Sequence, residues 1–194
     1  QRDPHQRTLF RVPSCPIVIE LGKRLSEKFI CHNSYRASVS GNKHRLSPVV
    51  IDYSAGPDTL FMHADTIKMT TFNLDTDSVS RLVEGFYHVR AYRKDVQAVC
   101  DSLSFNSASR LLSLYTDPIV WSDNRQILGE QIDVYFNNES VDSVYINRQA
   151  LLVEQVDSAH FNQVSGHQMR AYFKDGNMHE NFAEGNVRVI QFPL

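Results

Sequence analysis

The sequence predicts an all-β chain of stacked antiparallel strand repeats, and three observations predict it. Four stretches restate one theme, an acidic or polar residue followed by alternating apolar positions: His63-Ala64-Asp65-Thr66-Ile67-Lys68-Met69, Val99-Cys100-Asp101-Ser102-Leu103-Ser104-Phe105, Gly129-Glu130-Gln131-Ile132-Asp133-Val134-Tyr135-Phe136 and Gly166-His167-Gln168-Met169-Arg170-Ala171-Tyr172-Phe173. Within them apolar residues fall at every second position, with Gln131, Asp133, Gln168 and Arg170 between, so one face is greasy and the other wet. Beyond residue 55 no helix of any length is convincing, and the one short helical period, Ser78 to Val83, competes with a bent loop. A recurring unit that cannot bury its own apolar face must stack on its copies.

The elements follow in chain order. Residues 1–50 carry nine Lys or Arg against three acids, whereas the remainder is acidic. Such an arm suits nucleic acid or an anionic membrane surface. It lacks the Gly-rich and aromatic spacing of a nucleic-acid reader, so a solvated lead-in with no nucleic-acid partner is expected. Ile17 to Leu21 and Val49 to Ile51 read as strands, and Gly22 to Phe29 as one helical turn or two. Ser54-Ala55-Gly56-Pro57 marks a boundary, with a basic lead-in over residues 1–54 and a β-repeat domain over residues 55–194.

In that domain Asp65, Asp101, Glu130 and His167 stand at equivalent positions, separated by 36, 29 and 37 residues. Steps this uneven need loops of different length and two or three strands per unit. Val83-Glu84-Gly85-Phe86-Tyr87-His88-Val89 is echoed by Ala183-Glu184-Gly185-Asn186-Val187-Arg188-Val189, each read as a turn that opens a strand. Leu111 to Tyr115 and Val144 to Val153 are strand-like runs bounded by Asp117-Pro118, Asn137-Asn138 and Asp142-Ser143, and Ser122-Asp123-Asn124-Arg125 reads as a hairpin turn. Trp121 belongs to a core or to the open end of a sheet. Tyr87, Tyr92, Tyr115, Tyr135, Tyr145 and Tyr172 are spread over most strands, as on a sheet surface rather than a stacking platform.

A chain of 194 residues, 42% hydrophobic and 22% charged, can bury a sizeable core. No apolar run approaches the roughly 18 residues a membrane-spanning helix needs. With neither an initiator Met nor a signal-peptide pattern, the chain reads as a mature or excised fragment. Cys15, Cys31 and Cys100 show no C-x-x-C spacing, so no zinc site is expected. Cys100 takes the place of Ala64 in the repeat and reads as a small buried residue, while a Cys15–Cys31 disulfide is allowed by an oxidising compartment but not demanded.

No catalytic residue is expected. In a strand His63 and Asp65 would share a face, as an acid and base pair must. Yet the acid recurs as Asp101 and Glu130 without a His at Val99 or Leu128, which suits turn bonding better than one active site. Ser102, Ser104 and Ser107 lack nucleophile-elbow glycines, and no Gly-rich phosphate loop is present. Neither a metal nor a cofactor is implied.

The successive phrases Leu60-Phe61-Met62-His63-Ala64-Asp65-Thr66, Gln97-Ala98-Val99-Cys100-Asp101-Ser102-Leu103, Asp117-Pro118-Ile119-Val120-Trp121, Gln126-Ile127-Leu128-Gly129-Glu130-Gln131-Ile132 and Glu184-Gly185-Asn186-Val187 resemble those of OstA-like proteins, the periplasmic lipopolysaccharide-transport family. The resemblance covers about residues 55–194 and leaves the lead-in unmatched. It implies an open, twisted β-jellyroll, V-shaped in section, whose apolar groove shields lipopolysaccharide acyl chains. It also implies a non-enzymatic module in the periplasm of a Gram-negative bacterium, peripheral to the membrane or associated with the outer membrane. Its partners would be lipopolysaccharide or lipid A, and other envelope transport proteins or further copies paired through edge strands.

On this resemblance the groove is lined by Ile67, Met69, Leu103, Phe105, Ile132, Val134, Phe136, Met169, Ala171 and Phe173, with Arg90, Arg93 and Lys94 as contacts for lipid phosphates. The same ten residues would simply be core in a fully closed sandwich. Two other functions fit the pattern: an envelope scaffold pairing only through sheet edges, and a carbohydrate-binding β-solenoid with an exposed aromatic row or a carboxylate pair in a cleft.

Overall fold

The computed structural model describes residues 60–73, 79–137 and 140–193, together with the backbone of five short strands before them. The strands are β1 (Val18–Glu20), β2 (Phe29–His32), β3 (Ser38–Val39), β4 (Asn42–Lys43), β5 (Val49–Asp52), β6 (Leu60–His63), β7 (Thr66–Phe72), β8 (Ser80–Tyr92), β9 (Val96–Asn106), β10 (Leu111–Tyr115), β11 (Ile119–Ser122), β12 (Arg125–Leu128), β13 (Gln131–Asn137), β14 (Ser140–Gln155), β15 (Phe161–Lys174), β16 (Asn177–Glu184) and β17 (Arg188–Ile190). The protein is all-β, with no helix among the described residues. Of Ser78–Val83, read as a short helical period, Ser78 lies outside the described residues and Ser80–Val83 is strand, because its residues pair with β7 and, from Leu82, with β9.

Four long strands, β8, β9, β14 and β15, organise the chain by belonging to two half-sheets each. β9 pairs with β10 through Ser102–Asn106 and with β11 through Val96–Val99, and β14 pairs with β13 in its first half and β12 in its second. β8 divides likewise between β7 and β6, and β15 between β16 and β17. One half-sheet therefore contains β7, β10, β13 and β16, the other β6, β11, β12 and β17. The pairings β9, β10, β13, β14, β12, β11 and back to β9 close a ring of six strands. β2 adds to the first half-sheet beside β7 and β5 to the second beside β6, so strands of the basic lead-in extend both. Of the segment Gly22–Phe29 only Phe29, which opens β2, lies among the described residues, and Cys15 lies outside them.

The halves join along a line of corners, which alternate between two kinds. At four of them two consecutive residues take left-handed dihedrals: Tyr87 and His88 (φ 64° and 55°), Thr116 and Asp117 (63° and 52°), Arg148 and Gln149 (58° and 51°), Gly185 and Asn186 (75° and 51°). Such pairs bend the strand sharply and shift the register, as seen between Phe86 and Val89 and between Asn147 and Ala150. Between them stand narrow corners at Asp65, Asp101, Glu130 and His167, the four residues that the repeat makes equivalent. Corner hydrogen bonds carry the ladder round the bend: Asp65 N–H donates to Tyr87 O (2.9 Å), Glu130 N–H to Arg148 O (3.1 Å) and His167 N–H to Gly185 O (2.8 Å).

Gly185 is required at its corner, since a Cβ there would meet the His167 Cβ at 2.7 Å and φ is left-handed. The echoed Gly85 differs: it is buried inside β8, where a Cβ would meet Val89 at 3.3 Å. Glu84-Gly85 thus opens no strand, and the bend comes two residues later. Inward side chains align across the strands in layers. Ile67, Leu103, Leu114, Ile132, Ile146 and Met169 form the layer next to the corners of the first half-sheet, facing Met62, Val89, Cys100, Ile127, Ala150 and Leu152 of the second in a single buried cluster.

Candidate functional site

All ten residues expected to line a groove lie on the inward face of the first half-sheet, because period-two alternation runs unbroken from each narrow corner. Their exposure is graded. Ile67 and Ile132 (each 1% exposed) and Met169 (2%) belong to the corner layer and are fully buried, as are Met69, Leu103 and Ala171. Phe105, Val134, Phe136 and Phe173, further along the strands, are only half-buried. Phe105 and Phe136 pack edge to face with ring centroids 6.3 Å apart. The interior is therefore a dry core at the corners that opens towards the strand ends.

The opposing wall comes from one cross-strand row in which Ala98, Val120 and Val164 are half-buried and Ile127 and Leu152, between Val120 and Val164, are buried. Sequence reading missed this wall, since the repeated phrases cover only the strands that leave the narrow corners. Its signal was present as short alternation in Ile119–Ser122 and Arg125–Leu128. At the lip of this wall Arg125 donates from Nε to Glu154 Oε1 (2.9 Å), and both residues stand on the same side as Ile127 and Leu152.

The cations expected at the mouth are dispersed. Arg90 is exposed on the outer side of β8, where its backbone neighbours are His63 and Val99. Arg93 clamps Asp95 through two hydrogen bonds (2.6 and 2.9 Å) in the hairpin between β8 and β9, and Lys94 is exposed at its tip. Burial opposes ionisation of Asp95, but the hydrogen bonds and charge of Arg93 outweigh it and lower the carboxyl pKa. Arg93 continues the inward phase of Val89 and Ala91 and lies in the same cross-strand row as Arg125, a further cation that the fold sets beside the inward wall. Trp121 lies on the outer side of β11, half-buried across from Gln97 and Gln126.

At the corners, Asp65 accepts from His88 (2.9 Å), while Glu130 accepts from Gln149 (2.9 Å) and pairs with Arg148 (3.2 Å). In both repeats the acid of a narrow corner grips the wide corner beside it, a bracing role for the residues that looked catalytic. His63 ends β6 with its Nδ1 buried and unpartnered, and its pKa is lowered by burial and then by Arg90. No group of three His, Cys, Asp or Glu among the described residues is arranged to hold a metal.

Cys100 is buried beneath an open surface dent of about 520 Å³ lined by His88, Arg90, Thr116 and Asp117 among others. Burial pushes its thiol up to about 12. The folded protein therefore favours the neutral thiol, a contribution complete below the unfolded-state value near 9 and lost as pH rises towards the folded one. At pH 8 iodoacetamide should label Cys100 on the order of a thousandfold more slowly in the folded chain than in denaturant, read by mass spectrometry of its peptide. Equal rates would show that this corner opens freely.

The outer face of the first half-sheet is wet at one end and aromatic at the other. Lys68 pairs with Glu84 (2.6 Å), and Asp133 accepts from Ser113 (2.6 Å), Gln131 (2.9 Å) and Asn147 (3.1 Å). Beside Asp133 four rings run across β13 to β16, Tyr135, Tyr145, Tyr172 and Phe182, with successive centroids 5.3, 6.3 and 6.2 Å apart. Comparison with known proteins supplies no family: no family model matches the chain and no curated protein matches it.

Proposed function

We propose that this chain is a non-enzymatic module of lipopolysaccharide transport that shields acyl chains between its two half-sheets, as an open jellyroll of the OstA type. On this reading it works in the periplasm of a Gram-negative bacterium, peripheral to the membrane. The observation that carries the reading is the gradient of exposure along the inward face, from about 1% at Ile132 to half-buried rings at Phe105, Phe136 and Phe173. Within one cross-strand row Met69 and Ala171 are buried while Phe105 and Val134 are half-buried, and a sandwich closed along its whole strand length would bury all four. Here the outer layer keeps apolar surface in contact with water, and each acyl methylene seated against it would gain about 0.8 kcal/mol. On this reading Arg125 at the opposite lip, paired with Glu154, would turn to a lipid phosphate.

Bridging to neighbours is supported by the far end of the stack. Val189 is 61% exposed although its strand partner Val164 is half-buried, which is what an unfilled next rung produces. The same observation favours a second reading, a scaffold that pairs through its edges and binds no lipid. Photo-crosslinkers at Phe105, Val134 and Phe173, with Lys68 and Ser104 as outward controls away from the aromatic row, separate the two when the full chain is offered lipid A. Adducts confined to the inward set are expected. Their absence at every site in a folded protein would leave the scaffold reading.

A further inference from the structure

We propose that the outer face of the first half-sheet is a saccharide-binding surface, built on the aromatic row Tyr135, Tyr145, Tyr172 and Phe182 and separate from the acyl groove on the reverse of the same strands. Alternation makes these outward positions, where a wet sheet face would carry polar residues. Instead each of four successive strands presents a ring, and every neighbouring pair meets edge to face at 71° to 85°. That packing fixes the rings at an angle to one another and leaves ring surface open, with Tyr135 38% and Phe182 47% exposed.

Polar groups stand beside the row already oriented. The Tyr145 and Tyr172 hydroxyls lie 3.3 Å apart, and the Arg170 guanidinium sits 5.7 Å from the Tyr145 centroid, within cation–π reach. Asp133 is held by donors from Ser113, Gln131 and Asn147 next to Tyr135 and Tyr145. A pyranose ring has the complementary make-up, a patch of C–H bonds that rests on an aromatic face and a rim of hydroxyls that needs nearby donors and acceptors. A protein-docking core would surround the rings with further apolar side chains. The outward positions towards the corners are Gln131, Asn147 and Gln168, which form a hydrogen-bonding border. Because the row crosses the strands, the ligand is an extended saccharide lying along the stack.

The test uses the full chain with labelled tyrosine rings and, as probe, the lipid-free oligosaccharide released by deacylating lipopolysaccharide. Saturable shifts confined to Tyr135, Tyr145 and Tyr172 are expected in the NMR spectrum. The Tyr145→Ala, Tyr172→Ala double variant should weaken binding roughly tenfold or more, and Tyr172→Phe, which keeps the ring, much less. Phe182→Ala at the exposed end of the row should weaken binding a few-fold and serves if the double variant does not fold. Phe136→Asp, on the reverse of the sheet, should bind the probe unchanged, so failure of the acyl-groove reading and failure of this one are distinguishable. Absence of saturable binding, or equal binding by folded variants, would overturn the proposal. So would ring variants that abolish only self-association in light scattering, which would make the face a protein interface.

Discussion

Phe136→Asp or Phe173→Asp is expected to abolish lipid A adducts from a crosslinker at Phe105 while the β spectrum remains that of the parent. Both rings are half-buried near the strand ends, where a carboxylate can turn to water, so a folding cost of about 1–3 kcal/mol is tolerable. For a seated acyl chain the same change replaces apolar wall with a solvated charge, and the gain from every methylene alongside it is lost. Far-UV circular dichroism and crosslinking yield, taken together, decide the matter. If the variants unfold, these positions are core and the acyl-groove reading fails there. If they fold and still capture lipid, the lipid lies elsewhere.

Ile132→Ala is expected to cost about 2–5 kcal/mol of stability, a large share of the roughly 5–15 kcal/mol a domain possesses, seen as a lower urea midpoint with unchanged slope. Ile132 is 1% exposed and its strand neighbours are Leu114, 2% exposed, and Ile146, 3% exposed. Deleting its branched carbons there opens a hole that the shared long strands cannot close without moving both half-sheets. The two substitutions lie four residues apart on one strand face yet should fail differently, the first in binding and the second in folding. A cost under about 1 kcal/mol for Ile132→Ala would mean that the corner layer is loosely packed and accessible, contrary to a dry core.

Much of the architecture was legible because its signals are local. The equivalence of Asp65, Asp101, Glu130 and His167 could be seen in the residues, and these four are the narrow corners. The inward set on the first half-sheet followed from the same phase. The Glu-Gly echo misled, because composition does not report φ: Gly185 turns the chain at φ 75°, whereas Gly85 lies in a strand interior. Arg90 was grouped with Arg93 and Lys94 by proximity in sequence, but alternation sends it to the outer face. The tyrosines were recognised as surface residues, yet the row they form was not visible, since Tyr135, Tyr145 and Tyr172 meet only through the pairing of β13, β14 and β15.

Sequence by itself determined that the chain is all-β, where its repeating corners lie and which side of each repeated strand is apolar, since alternation and turn chemistry act over a few residues. Only the tertiary structure decided that β8, β9, β14 and β15 each serve two half-sheets, and hence which wall faces the inward rings and which outward rings become neighbours. The reason is physical. Sharing one long strand between two sheets depends on paired left-handed residues at its bend and on hydrogen-bonding partners tens of residues away, such as Leu152 with Ile127. Neither condition is written in the local pattern of apolar and polar residues.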